Sequence, residues 1–351
     1  MVCGVVNNLP SFAQNSVRCF WIAAWLALLP LDAAHATDSY YKGKSITFII
    51  GSAAGGGYDS YSRLLASHVG QHLEGRPQVV PQNMPGAGSI RAANYLYNAA
   101  RKDGTTIGML DEAIYLNQIL GTPELKIDAT KFNWIGRILA NSAVLFARRD
   151  SPVQKIGDVF DKELIVSTSG TASKLNWTVL KKMLGMKFTM ISGYPGTNDS
   201  LLAMTRGEVD ALSMPWSILR IREAREIRDG GIKLLLQTGV EKDADLSRIP
   251  RMIDLARNDD ERKLLELFSS PSLIGRSVLA PPGTPPERVA ELRRAFMATM
   301  QDPAFLSDLK RAGLQISPLS GEELQTAVAR TGDFPGALIA RARRAADITG
   351  N

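Results

Sequence analysis

Two similar α/β lobes, each built on a doubly wound and mostly parallel sheet, are what this sequence predicts. Three observations carry the prediction. Strand-like and helix-like runs alternate from residue 46, the alternation restarts after residue 163, and each lobe opens with a loop of glycines and small residues that leads from a strand into a helix. Alternating runs of this kind are the signature of βαβ units.

In order, the first lobe reads as strand Ile46–Gly51 and helix Asp59–Leu73, strand Gln78–Pro81 and helix Ser89–Ala100, then strand Thr105–Leu110 and helix Glu112–Leu120. Two strand-like segments follow, Trp134–Leu139 and Ala143–Ala147. The rhythm then restarts with strand Leu164–Ser167, helix Ser173–Leu184, strand Phe188–Ser192, helix Asn198–Arg206, strand Val209–Ser213, helix Ile218–Arg228 and strand Lys233–Gln237. A helical stretch spans Ile253–Phe268. Leu273–Ala280 is an apolar strand closed by prolines that open helix Glu287–Met300, and three helical pieces end the chain. The C-terminal piece is too small for a third lobe and folds back on the first. Lobe 1 is therefore expected over 37–141 and 273–351 and lobe 2 over 142–272, joined by two crossings near Ala140–Val144 and Ser270–Gly275, with a ligand cleft between strand carboxyl ends.

Of 351 residues, 45% are apolar and 22% charged, enough for two domains. At the start, Arg18 precedes the apolar run Cys19–Leu31 and then Ala34-His35-Ala36, which reads as an export signal over 1–36 cut after Ala36. That run is shorter than the roughly 20 residues a membrane span needs. A soluble protein outside the cytoplasm is expected. Both cysteines, Cys3 and Cys19, fall within the signal, so no disulfide or Cys-held metal is expected in the mature chain. The formal charge of +6 favours anionic ligands, but the basic residues are interleaved with acids, as in Arg220–Glu226, which is not a nucleic-acid pattern.

The loop Ser52-Ala53-Ala54-Gly55-Gly56-Gly57-Tyr58-Asp59 follows the first strand. It lacks the Lys-Ser/Thr of a phosphate-binding P-loop, and neither it nor Gly86–Arg91 completes a dinucleotide fingerprint, because Arg91 stands at the third glycine position. A tight turn and an anion site both fit it. The matching loop of the second lobe, Ser167-Thr168-Ser169-Gly170-Thr171-Ala172-Ser173, is again rich in donors and poor in charge, and two such helix starts facing one cleft favour an anion clamp. His68 and His72 stand four apart on one helix but lack the other ligands of a zinc motif, and away from the helix start they cannot build a Ser-His-Asp triad. Asp111-Glu112 reads either as paired carboxylates in the cleft or as a helix start favoured by the dipole. Trp177, Met183 and Met204 lie at helical spacings that suit core.

Taken in order, the motifs resemble the periplasmic receptors of tripartite tricarboxylate transporters, the Bug-type receptors. They are Ala54-Gly55-Gly56-Gly57-Tyr58-Asp59, Asn83-Met84-Pro85-Gly86-Ala87-Gly88, Lys102–Ile107, Tyr194-Pro195-Gly196, Gly207-Glu208-Val209-Asp210 and Leu279–Pro285. The resemblance spans essentially the whole mature chain. It implies a type II periplasmic binding fold, without enzymatic activity or cofactor, that closes on a small carboxylate and serves membrane transporter subunits, as a monomer. Carried over by position, the ligand contacts are Ser52 to Asp59, Ser167 to Ser173, and Tyr194, Gly196 and Thr197. Met84, Pro195 and Leu175 depart from the usual Arg, Lys and His, so no particular acid is implied. The opposing reading, a secreted hydrolase or isomerase on a similar scaffold, lacks a usable His, Cys or metal set.

Overall fold

The computed structural model describes residues 1, 4, 39–168, 171–194, 197–331 and 334–346, without the side chains of residues 171, 172, 330 and 331. The expected signal lies outside the described residues save Met1 and Gly4. The chain divides into two compact units, Met1–Ser39 and Tyr40–Asn351, and everything below concerns the second.

Its elements run β1 (Ser45–Ile50), α1 (Gly57–Val69), β2 (Gln78–Asn83), α2 (Ile90–Asn98), β3 (Thr106–Met109), α3 (Ala113–Ile119) and β4 (Asn133–Arg137). Next come β5 (Ala143–Arg148), β6 (Leu164–Thr168), α4 (Thr171–Leu184), β7 (Phe188–Ser192), α5 (Thr197–Thr205), β8 (Ala211–Pro215), α6 (Trp216–Arg222), α7 (Ala224–Arg228) and β9 (Ile232–Gln237). The chain ends with α8 (Asp259–Ser269), α9 (Pro271–Ile274), β10 (Ser277–Ala280), α10 (Pro286–Gln301), α11 (Pro303–Arg311), β11 (Leu319–Ser320), α12 (Gly321–Thr331) and α13 (Gly336–Ala345).

The strands form two sheets, in the orders β11-β4-β10-β3-β1-β2 and β7-β6-β8-β5-β9. Parallel pairing is confined to β2-β1-β3 in one and β7-β6-β8 in the other, and the remaining pairs are antiparallel. The sheets expected to be mostly parallel are therefore mixed, because the chain crosses between lobes and returns in the opposite sense. Period-2 alternation buries both faces. On β1, Ile46 and Phe48 share a core cluster with Leu65 and Val69 of α1 and Phe296 of α10, while Ile49 belongs to a second cluster with Leu96 of α2 and Leu324 of α12. On β5, Leu145 and Ala147 share a cluster with Trp177 of α4 and Phe268 of α8, while Val144 and Phe146 share another with Leu201 of α5 and Leu219 of α6. Each large side chain so buried contributes roughly 1.5–3 kcal/mol.

Two crossing segments lie side by side between the sheets. The Ile138 amide donates to the Arg276 carbonyl (2.8 Å), the Arg276 amide to Leu139 (2.9 Å) and the Asn141 amide to Ser272 (3.0 Å). Gly275 stands where they touch. Its φ is +50°, and a Cβ there would lie 2.1 Å from the Leu139 carbonyl oxygen. This left-handed residue also corrects the expected strand Leu273–Ala280: Pro271–Ile274 is a helical turn that Gly275 ends, and only Ser277–Ala280 pairs. Helix Ile218–Arg228 breaks at Glu223 into α6 and α7. The helical stretch from Ile253 begins in earnest only at α8, capped by the Asn258 side chain accepting from the Glu261 amide.

The tail expected with the first lobe ends on the second, where Ala342 and Ala345 of α13 share a cluster with Trp177 and Leu180 of α4. Leu116 of α3 and Leu120, which follows its last turn, enter the same cluster. Among the described residues no helix is long and apolar enough to cross a membrane, and no group of three His, Cys, Asp or Glu is placed to hold a metal. His68 and His72 instead face α11, where they meet the carboxylates of Asp308 (2.9 Å) and Asp302 (3.0 Å).

Candidate functional site

A cavity of about 480 Å³ lies at the carboxyl ends of strands from both sheets, walled by the glycine loop, the start of α3, the crossings and the first turns of α4 and α5. Its first wall is locked by side chains that do not face it. Asp59 accepts from the Gly55 amide (2.9 Å), Arg63 Nε (2.9 Å) and Asn83 Nδ2 (2.9 Å), and Asn83 Nδ2 also donates to the Ser52 carbonyl (3.0 Å). Burial raises the Asp59 pKa, but these donors outweigh it and hold the carboxyl below its ordinary value. Ser89, buried at φ +71°, donates to the Gly51 carbonyl and accepts from the Asp111 amide, tying the loops after β1, β2 and β3 together. The Asn83–Gly88 motif thus serves as scaffold to the glycine loop.

Of that loop, Ser52, Ala53, Ala54, Gly56 and Tyr58 line the cavity, whereas Gly55, Gly57 and Asp59 do not. Gly55 takes φ +85° and spends its amide on Asp59. Gly56 is extended, with open space where a Cβ would stand. Gly57 lets a side chain approach the helix start: its absent Cβ would sit 3.3 Å from Arg276 Nη2.

Arg276 is 4% exposed, and its guanidinium lies 3.7 Å from the centroid of the Tyr58 ring. Nε and Nη1 are buried without a hydrogen-bond partner. Burial opposes its charge, but Tyr58, Glu112 and Asp111 more than restore it, so the group stays a cation. Facing it, Asp111 caps α3 by accepting from the Ala113 amide (2.9 Å), and the Glu112 amide donates to the Tyr58 hydroxyl (2.9 Å). Glu112 Oε1 accepts from Asn141 Nδ2 (2.8 Å), while Oε2 is buried without a partner. Burial, opposed by Arg276 and reinforced by Asp111, pushes the Glu112 carboxyl up to about 8. Burial raises Asp111 and Tyr58 as well. Both readings of Asp111-Glu112 hold together, since the pair starts a helix and lines the cleft.

On the second lobe, Ser173 and Thr197 line the cavity. The Ser167 hydroxyl turns to Ser200 (2.5 Å) and that of Thr168 pairs with Ser192 (2.8 Å), so both are spent within the lobe. Tyr194 packs on the lobe core instead of facing the cavity. Ser169, Gly170 and Gly196 lie outside the described residues, as do the side chains of Thr171 and Ala172, which begin α4. Asn176, one turn beyond Ser173, also lines the cavity. Sequence reasoning missed it, and it missed Asn141, Ser272 and Arg276 of the crossings. A single arginine within an apolar run was the available signal for Arg276.

The family model for the tripartite tricarboxylate transporter family receptor matches residues 62–342. The chain belongs to this family. A Cupriavidus necator protein, described as a UPF0065 protein in the gbd 5' region, is 26% identical to this receptor over 323 residues, covering 88% of this chain and 91% of the relative. Among solved structures, the periplasmic binding protein BugD matches with a TM-score of 0.63 at 22% identity, covering 87% of this chain and 98% of that one. Rpa4515 of R. palustris, solved with adipate, matches with a TM-score of 0.62 at 21% identity, covering 87% and 97%. These structural likenesses show the two-lobe binding-protein fold of the receptor.

Proposed function

We propose that this receptor is exported to the periplasm, captures a small organic carboxylate between its lobes and delivers it to a tripartite tricarboxylate-type membrane transporter. Family membership supplies the transporter class. The observation that carries the ligand class is Arg276: a guanidinium held on Tyr58, with two buried N–H groups unpaired, lines a cavity sized for a small molecule. A desolvated cation with free donors is complementary to a carboxylate. Adipate, bound by a structural relative, is of that class. The contacts on this reading are Ser52, Ala53, Ala54, Gly56 and Tyr58 from one lobe, Ser173 and Thr197 from the other, and Arg276 between them.

On the same reading the leader is cut after Ala36, the receptor works as a monomer without cofactor, and the crossings near 140–144 and 270–275, with Arg276 next in the chain, act as the hinge between lobes. A melting screen of the mature protein against mono-, di- and tricarboxylates, adipate included, tests it. A ligand at about 100 times its Kd adds roughly 2.7 kcal/mol of stability. Stabilisation by carboxylates and not by their amides is expected, and stabilisation by neutral or cationic solutes alone would overturn the reading.

A further inference from the structure

We infer that Glu112 enters the complex as a neutral acid and donates its O–H to the bound carboxylate, so that the receptor takes up its ligand together with one proton held at Glu112 Oε2. The inference rests on the carboxylate reading above and adds a specificity-determining residue to it.

Three observations meet in the cavity. Glu112 Oε2 is buried and unpartnered, and so are Nε and Nη1 of Arg276, yet the two side chains do not satisfy each other. A group that accepts from both would relieve both, since an orphaned buried polar atom is costly. The second observation is charge. Glu112 is faced by Asp111 from its own helix start, by Tyr58 from α1, and by Arg276 and Asn141 from the two crossings. With both acids ionised, two anionic groups would stand against one cation, and an incoming carboxylate would be repelled. One proton brings these walls to neutrality, and Glu112 then presents a donor beside Arg276 instead of a second anion.

The third observation assigns the proton. Asp111 accepts from the Ala113 amide, and the neighbouring Tyr58 hydroxyl also favours its ionised form against burial. Glu112 has one donor, Asn141, and the Asp111 charge beside it. The proton therefore sits on Glu112, in line with a carboxyl pushed up to about 8 by burial. In the complex, Oε1 keeps its bond from Asn141 and Oε2–H donates to a ligand oxygen that also accepts from Arg276.

The test is the Kd of the wild-type mature receptor for adipate, and for each other carboxylate of the screen that binds, from about pH 6 to about pH 9.5. Adipate is fully ionised above about pH 7, and for a polycarboxylate whose last ionisation lies near pH 6 the profile is read above about pH 7.5. The expected Kd is flat up to about pH 8 and then weakens toward about tenfold per pH unit. Calorimetry near pH 9 in buffers of different ionisation enthalpy should show proton uptake approaching one per ligand, and this needs no variant. Glu112→Gln, which keeps a donor that cannot ionise, should bind within about tenfold of wild type at pH 7 and lose the slope. A flat wild-type profile without proton uptake, an affinity that strengthens with pH, or a slope that survives in Glu112→Gln and so belongs to Asp111, would overturn the inference. If no carboxylate binds at any pH, the carboxylate reading itself falls, and a carboxylate bound without proton linkage refutes this inference alone.

Discussion

Replacing Arg276 with methionine removes the only charge that the crossings bring to the cavity and leaves a side chain of similar length on the Tyr58 ring. Hydrogen bonds to charged groups are worth about 1.5–3 kcal/mol each, so two N–H donors represent about 3–6 kcal/mol of binding, or roughly 10²–10⁴ in Kd. The effect on the empty receptor should be far smaller. The variant loses a cation–π contact of about 0.5–2 kcal/mol but also removes two buried unpartnered donors, each costing about 1–3 kcal/mol. Titration calorimetry with adipate or another stabilising carboxylate, set beside the thermal unfolding of the ligand-free protein, separates the two. Lost affinity with a melting temperature within a few degrees of wild type is expected. Affinity within threefold of wild type would refute a ligand role for Arg276, and wholesale unfolding would show that its charge is structural.

Gly56→Val should fold normally, because the backbone there is extended and its Cβ would meet open space. Its isopropyl group would intrude on the cavity and weaken carboxylate binding by at least about tenfold, by the cost of displacing a hydrogen-bonded ligand; unchanged affinity would make the loop a turn and nothing more. Gly275→Ala places a Cβ 2.1 Å from the Leu139 carbonyl oxygen at φ +50°, and the crossings must part to admit it. A loss of at least about 2 kcal/mol in denaturant unfolding is expected, and a neutral result would show that the close approach there is easily relaxed. Scattering should show a smaller radius of gyration on saturation with ligand, and an unchanged profile with binding confirmed would exclude a clamp engaging both lobes.

The repeating pattern of strands and helices was legible because buried strands and amphipathic helices carry their own periods. The alternation of Val144 and Phe146 against Leu145 and Ala147, for example, assigns two faces at once. Strand direction was not legible. Nothing local distinguishes β4 paired antiparallel with β10 from the same residues in a parallel sheet, and only the return of the chain decides it. At the site, the glycine loop and the helix starts were visible because bare backbone and small hydroxyls leave a compositional trace. Ser167 and Thr168 show the limit of that trace, since a hydroxyl at a strand end can as readily satisfy Ser200 or Ser192 as a ligand. Arg276 reaches the cavity only because Gly275 turns the second crossing there, a long-range fact that no window of sequence contains.

The placement of charge has a consequence for how such a receptor works. The lobes offer hydroxyls and amides, whereas the ionisable groups cluster where the lobes are joined: Arg276 follows Gly275 in one crossing, Asn141 in the other holds Glu112, and Glu112 precedes a helix whose Leu116 and Leu120 enter the second lobe's core. On the proposed function, charge–charge attraction at the joint would act on the ligand whether the lobes stood apart or together, setting affinity without favouring either state. Ser173 and Thr197 belong to the second lobe, and their contacts with a ligand held at the first lobe depend on the distance between the lobes. Only interactions of that second kind shift the equilibrium toward closure, because a ligand moves a two-state balance by its differential affinity and by nothing else. Capture and closure are thus separable on the proposed function: a carboxylate long enough to meet Arg276 but too short to reach Ser173 and Thr197 is expected to bind without the fall in radius of gyration that a longer one gives, and an equal fall for both would refute the separation.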